Sequence, residues 1–201
     1  MEDLFDGFRR ETVDEAQLCV QAATIYGAGL TGKRCDAVAK AATEFAVRQT
    51  SDLYNFAEPL ISLLRESGIS IMVVSGAPVE ILNAYRGLNL LDKVYGLELE
   101  CAARETFSGE VARNCGLSEI KAATVNAIAE EYDIQFGFGN SIRDIPILTH
   151  ARFGIALSST PEIFPQPLRT RLRFGTPERI FDLVRGLLEE SKREDVRPIS
   201  S

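Results

Sequence analysis

Apolar residues in the first quarter of the chain recur at spacings of three and four, which is typical of one face of an α-helix. One such stripe runs through Leu18 to Ala23, and the glycine-containing stretch at 26–29 then predicts a break. A second apolar stripe follows over residues 37–46, and no β-branched run of strand character occurs in this quarter. We therefore predict a helical segment over residues 1–54.

From residue 55 onward, short apolar or β-branched runs alternate with helical stretches. Such alternation builds βαβ units, and hence a mainly parallel sheet covered by helices. We predict an α/β core over 55–190 and a polar tail over 191–201. The predicted helices are 57–67, 78–87, 118–132, 142–150 and 177–190; the predicted strands are 69–74, one or two within 95–112 near a turn at Ser108-Gly109, 134–138 and 153–157.

The charge of the chain argues against two classes of partner. Its 22 Lys and Arg residues are outnumbered by 29 Asp and Glu residues, which gives a net charge of −7. Such a surface repels phosphate backbones and anionic lipid. No apolar run approaches the ~20 residues of a membrane span, and the acidic amino terminus is unlike a signal peptide. We expect neither nucleic acid nor a membrane as a partner.

The cysteines and the histidine narrow the chemistry further. The four cysteines contain no C-x-x-C pair, and they suit buried thiols in a reducing cytoplasm. We therefore expect a cytoplasmic protein. His150 is the only histidine in the sequence, which argues against a zinc site and against a Ser-His-Asp or Cys-His enzyme.

Ser75 is the first candidate for chemistry, because it ends a buried-type strand and is followed by Gly76 and Pro78. A hydroxyl and backbone N–H groups at a strand end, beside the start of a helix, suit an anion such as phosphate. The alternative is an ordinary turn in which Ser75 only caps the helix.

Two further elements follow along the chain. Lys121 lies in the first turn of the predicted helix that begins at Ser118. A cation there is unfavourable because it opposes the helix dipole, unless it has an anionic partner. The alternative is a solvated surface lysine.

Asn140 and Asp144 follow a strand and a glycine turn, and two oxygen ligands in such a place suit Mg²⁺. A helix cap and a first-turn acid would explain the same pair without a metal.

The order and spacing of these three elements resemble motifs II, III and IV of the haloacid dehalogenase (HAD) superfamily, and most of all its phosphoserine-phosphatase-like branch. The resemblance covers about residues 57–157 and includes Phe107-Ser108-Gly109-Glu110 and Phe153-Gly154-Ile155-Ala156. It implies a HAD-type, Rossmann-like, mainly parallel sheet flanked by helices. Residues 1–54 resemble the small helical cap of this branch.

The resemblance also implies a function. It indicates a Mg²⁺-dependent phosphomonoester hydrolase that acts on a small phosphorylated molecule. Ser75, Gly76 and Lys121 would bind the phosphoryl group, and Asp144 with Asn140 would hold Mg²⁺.

One family motif has no match in this sequence. Members carry D-x-D-x-[TV] at the end of an N-terminal strand, where the first Asp is the nucleophile and the second is the general acid/base. The segment most similar to this motif is Asp3-Leu4-Phe5-Asp6-Gly7, and no apolar strand precedes it. Its aspartates are three apart, so they would face opposite sides of an extended chain. Asn140 is a second departure, because the family more often has Asp there.

The missing motif has a structural cost. In the family the first strand pairs on both sides in the middle of the sheet, so its loss would forfeit ~10 hydrogen bonds at roughly 1 kcal/mol each. We expect the flanking strands to close the gap or another chain to fill it, which would give a homo-oligomer. Two functions stay open: a HAD-type phosphatase that is truncated and inactive as given, and a catalytically inactive HAD-like phosphate-binding or interaction module.

Overall fold

The computed structural model describes residues 14–102, 105–158 and 160–195. Asp3 and Asp6, the beginning of the predicted helical segment and the end of the predicted tail lie outside the described residues. The chain divides into two units, Met1–Asp52 with Ile71–Asp133, and Leu53–Ser70 with Ile134–Ser201.

Helices and strands alternate along most of the chain, and short 3₁₀ turns lie at Thr50–Asp52, Ile142–Asp144 and Pro161–Ile163. The elements in chain order are α1 (Glu15–Leu30), α2 (Cys35–Gln49), α3 (Ala57–Glu66), β1 (Met72–Pro78), α4 (Val79–Gly87), β2 (Lys93–Cys101), β3 (Phe107–Asn114), α5 (Ser118–Glu131), β4 (Phe136–Gly139), α6 (Ile145–His150), β5 (Phe153–Ala156), α7 (Gln166–Arg169), β6 (Arg173–Phe174) and α8 (Ile180–Asp195).

The first unit is built on a three-stranded sheet of order β1-β2-β3. Strand β1 runs parallel to β2, and β3 runs antiparallel to β2. Helix α4 packs on β1 and β2, α1 packs on β3, and α2 packs on α4. Small residues make the α2–α4 interface, where Ala42 and Ala46 meet Ala84 in a buried cluster. Helices α1 and α2 are therefore part of the same compact unit as this sheet.

The second unit is built on a fully parallel sheet of order β4-β5-β6. Helix α6 packs on β4 and β5, and α3 packs against α8. Its core contains Leu148, Ala156, Phe164 and Leu172, which are almost completely buried. Parallel sheets flanked by helices confirm the predicted α/β class.

Strands β1 and β4 each pair with a single neighbour among the described strands, β2 and β5 respectively. Strand β1 has the apolar sequence of a buried strand, yet Met72, Val73 and Val74 are only partly buried. Each of these strands is therefore at the edge of its own sheet.

Helix α1 continues to Leu30, so the predicted break at residues 26–29 is wrong. Gly27 is needed there for packing, because a side chain at this position would collide with the backbone carbonyl of Gly109 in β3. Helix α1 ends at Thr31, and Gly32 follows with a φ of +75°. The predicted turn at Ser108-Gly109 is also misplaced, since both residues lie inside β3.

Cys35 and Cys101 form a disulfide, with their Cα atoms 6.6 Å apart. The expectation of four free thiols is therefore wrong for this pair, while Cys19 and Cys115 are free. The pairing arises because Cys35 begins α2 and Cys101 ends β2, and the segment around Arg34 pairs with Thr106 just beyond β2.

No helix in the described part of the chain is long and apolar enough to cross a membrane.

The Gly27–Gly109 contact predicts opposite effects for two neighbouring glycines of α1. Gly27→Ala should destabilise the protein by ~1–3 kcal/mol, because the new methyl group collides with backbone. Gly29→Ala is the matched control: it meets nothing within 4 Å, and it should stabilise the helix by about 0.5–1 kcal/mol. Urea unfolding of both variants measures the difference, and equal effects would contradict the packing described here.

Candidate functional site

Ser75 lies where the pairing of β1 with β2 becomes irregular. Regular pairing ends at Val74 with Tyr95 and resumes at Pro78 with Leu97, so the strand extends beyond the predicted end. The Ser75 hydroxyl accepts a hydrogen bond from the Ala77 N–H at 3.1 Å. Pro78 immediately precedes α4 rather than forming its first residue. Ser75 therefore shapes the turn between β1 and α4 and does not cap the helix.

Asn114 organises a second turn, between β3 and α5. Its side chain is 8% exposed. Its Oδ1 accepts a hydrogen bond from the Gly116 N–H at 2.9 Å, and its Nδ2 donates to the Cys19 carbonyl of α1 at 3.2 Å. One amide thus fixes the turn and fastens it to α1. Reasoning from the sequence did not find this residue, because Cys19 lies 95 positions away along the chain.

The two turns touch through their backbones. A Cβ added at Gly76 would lie 2.9 Å from the Gly116 Cα, and one added at Gly116 would lie 3.2 Å from the Gly76 Cα. Side chains at either position would push the turns apart. The glycines therefore let the backbone next to Ser75 approach the turn that precedes α5.

Lys121 is 7% exposed, although it lies in the first turn of α5. It is therefore not a solvated surface lysine. Helix α5 packs on β1, and no side chain among the described residues caps the first turns of α4 or α5. Uncapped N–H groups and a buried ammonium at the start of a helix are the features that favour a bound anion.

Asn140 and Asp144 lie in the second unit, after β4. Asp144 is 8% exposed. Its Oδ2 accepts hydrogen bonds from the Asn140 N–H at 3.0 Å, and from the N–H and hydroxyl of Ser141, each at 3.1 Å. The carboxylate therefore holds its own loop in shape, while the Asn140 side chain is exposed.

The donors of this loop fit Mg²⁺ chemically. Asp144 has a carboxylate and Asn140 has an amide oxygen, and both are hard ligands. Among the described residues no group of three or more His, Cys, Asp or Glu side chains could hold a metal. Mg²⁺ is often bound through only one or two carboxylates, with water and substrate phosphate completing its shell. A single carboxylate thus meets the minimum for this ion.

Two other groups in the first unit stay protonated. Cys115 is fully buried, and burial raises the pKa of its thiol, so it is no nucleophile. The Tyr26 hydroxyl of α1 donates to Glu80 Oε2 of α4 at 3.4 Å. Burial, together with the Glu80 carboxylate, raises the pKa of Tyr26. This hydrogen bond is another link between the first helices and the sheet-bearing part of the unit.

The fold is similar to that of several solved α/β proteins, among them HAD-family enzymes. Similar structures include a probable phosphoserine phosphatase from Vibrio cholerae, with a TM-score of 0.63 and 16% identity over 95% of this chain and 57% of that one. A HAD family hydrolase from Salmonella enterica serovar Typhi has a TM-score of 0.63 and 15% identity over 90% of this chain and 60% of that one.

Cytosolic 5′-nucleotidase IIIB bound to cytidine has a TM-score of 0.67 and 15% identity over 98% of this chain and 73% of that one. These identities establish a shared fold alone. The chain spans less than two thirds of the length of the phosphoserine phosphatase and of the HAD family hydrolase. No family model matches the sequence, and no curated protein sequence matches it significantly.

The role of Asn114 predicts a stability effect. Asn114→Ala should cost about 1–3 kcal/mol, because it leaves the buried Gly116 N–H without its acceptor. Asn126→Ala is the control, since Asn126 is exposed on α5 and should change stability by less than about 0.5 kcal/mol. Denaturant unfolding measures both, and a neutral Asn114→Ala would show that the amide does not hold the turn.

Proposed function

We propose that this chain carries the phosphate-binding and Mg²⁺-binding parts of a HAD-type phosphomonoester hydrolase whose substrate is a small phosphorylated molecule. The observation that supports this most is the buried Lys121 in the first turn of α5, the helix that follows the turn at Gly116. A phosphate group carries the charge that a buried ammonium and two uncapped helix starts favour. The phosphatases with a similar fold support the same reaction class.

Each proposed site residue has a defined task. The Lys121 ammonium neutralises the phosphoryl oxygens, while the Ser75 hydroxyl and the N–H groups from Gly76 onward orient them. Asp144 and Asn140 of the second unit would hold Mg²⁺, which when bound would supply positive charge. The hydrogen bonds on Asp144 Oδ2 fix that carboxylate in its loop.

The chemical step needs a nucleophile that none of the proposed site residues supplies. One phosphoserine phosphatase of similar fold was captured as an analogue of a phospho-aspartyl intermediate, which requires an aspartate as the nucleophile. Asp144 is occupied in its loop, and Asp3 and Asp6 lie outside the described residues. We propose that the chain as given is catalytically inactive.

This proposal predicts that the chain hydrolyses an aryl phosphate with Mg²⁺ at or near background, because the covalent route cannot start without its nucleophile. A colorimetric phosphatase assay makes the measurement. Robust Mg²⁺-dependent turnover would contradict it, above all if Asp144→Ala abolished that turnover while Asp3→Ala and Asp6→Ala did not.

The phosphate site predicts a binding effect that does not depend on turnover. Lys121→Met should weaken the binding of inorganic phosphate by roughly ten- to a hundredfold, the equivalent of a charge-assisted hydrogen bond of about 1.5–3 kcal/mol. Lys40→Met is the matched control, because Lys40 is exposed on α2 and the variant carries the same change of charge. Isothermal titration calorimetry measures both, and equal affinities for the two variants would refute the assignment of Lys121.

The second candidate is a catalytically inactive phosphate-binding or interaction module. It is favoured because anion-binding features are present in the described residues without a placed nucleophile. Adding a strand that bears D-x-D-x-[TV], as an N-terminal fusion, separates the two. Restored turnover identifies a hydrolase, and phosphate binding without turnover identifies the module.

Two further properties remain proposals. We propose a homo-oligomer if a second copy supplies a strand to β1 or β4, since each pairs with one described neighbour. Light scattering of the purified chain decides this. We also propose a cytoplasmic location, which the similar fold of a cytosolic 5′-nucleotidase supports. Free cysteines no longer support that location, because Cys35 and Cys101 are bonded.

A further inference from the structure

The Cys35–Cys101 disulfide closes a small clasp between the α1–α2 connection and the β2–β3 hairpin. We call this region the clasp: residues 32–35 on one side, and Cys101 with residues 105–107 on the other. Three backbone hydrogen bonds cross it: Gly32 N–H to the Phe107 carbonyl at 2.9 Å, Phe107 N–H to the Lys33 carbonyl at 2.9 Å, and Cys35 N–H to the Glu105 carbonyl at 2.8 Å. The disulfide is the covalent part of this pairing.

The disulfide is accessible to solution. Cys101 is exposed and Cys35 is partly exposed, whereas the free Cys115 is completely buried. Cys35 is also the first residue of the fifteen-residue helix α2. The start of a helix stabilises a thiolate, which is the reactive form in disulfide exchange. Arg34 beside it carries a positive charge and forms ion pairs with Asp36 and Glu105.

We propose that Cys35 and Cys101 are a reversible redox site that exchanges with a low-molecular-weight disulfide such as oxidised glutathione. The Cys35 thiolate attacks one sulfur of oxidised glutathione and releases one glutathione thiol. The Cys101 thiolate then attacks the Cys35 sulfur of the mixed disulfide and releases the second. Two electrons pass from the protein thiols to glutathione, and the two thiol protons end on the two glutathione molecules. Excess reduced glutathione drives the reverse reaction.

The clasp is connected to the proposed phosphate site through α1. The connection between α1 and α2 forms one side of the clasp, and α1 is pressed on β3 through Gly27 and Gly109. The same helix presents the Cys19 carbonyl that Asn114 binds in the turn before α5. We infer that reduction of the disulfide loosens α1 from its end next to the clasp, and that this weakens the binding of phosphate. This second statement rests on the proposed function.

The first experiment counts thiols. The full chain is equilibrated in buffers of varied reduced-to-oxidised glutathione ratio, quenched with acid and labelled with a maleimide mass tag. We expect Cys35 and Cys101 to change together over these ratios, while Cys19 and Cys115 keep the same labelling throughout. A disulfide that excess reduced glutathione leaves intact, with only a stronger dithiol reducing it, would overturn the redox site and define a purely structural crosslink.

The second experiment asks whether the clasp opens. Hydrogen exchange at the amides of Gly32, Cys35 and Phe107 should be about tenfold faster or more in the reduced protein, because these bonds then open locally. The Leu157 amide, bonded to the Gly139 carbonyl in the second unit, should not change. Unchanged exchange at the three clasp amides would overturn the clasp as a switch.

Two variants give a matched comparison. Cys35→Ser in oxidising buffer should exchange like the reduced wild type, and Cys19→Ser should exchange like the oxidised wild type. Reduction of the wild type provides the same test if Cys35→Ser does not fold. Inorganic phosphate is then titrated into both redox forms, and weaker binding by the reduced form is expected. Equal affinity of the oxidised and reduced forms for phosphate would overturn the coupling between the clasp and the phosphate site. If neither form binds phosphate, the phosphate site is refuted, and hydrogen exchange alone then tests whether the clasp opens.

Discussion

The contact of Gly76 with Gly116 is the constraint on which the first unit depends. It joins the turn after β1 to the turn after β3, and no side chain fits between them. Ser75 directly precedes Gly76, and α5 begins two residues after Gly116, at Ser118. Asn114 fixes the second turn and ties it to α1. Two glycines and one buried amide thus set the geometry that the proposed anion site requires.

Lys121 shows why the magnitude of an effect matters for assigning a role. A lysine in an exposed first turn costs only ~0.3–1 kcal/mol through the helix dipole. Withdrawing an ammonium from water costs several kcal/mol, and Lys121 is buried. The cost of removing the ammonium from water is therefore the larger of the two effects at Lys121. Burial is therefore the property that sets Lys121 apart from an ordinary first-turn lysine.

Local signals in the sequence predicted most of the helices and strands. Hydrophobic periodicity and glycine-containing turns each depend on only a few neighbouring residues. Long-range contacts account for the errors. Gly27 signals a helix break locally, but its packing partner is in β3. Asn114 has no motif, and its partner lies 95 positions away. The disulfide follows from backbone pairing around Arg34 and Thr106, which no cysteine spacing reveals. Sequence reasoning singled out Ser75 and Lys121 because Ser75 lies at the predicted end of a strand and Lys121 lies in the first turn of a helix.

The edge position of β1 also bears on how the protein behaves when concentrated. An apolar edge strand presents a row of backbone donors and acceptors that can template pairing with another chain, and this is a common origin of aggregation. Met72, Val73 and Val74 are partly buried and apolar, so β1 carries this hazard among the described strands. Pro78 lacks a backbone N–H and ends the row. The stretch of six residues before that proline, from Met72 to Ala77, is therefore the part of β1 where such pairing would occur.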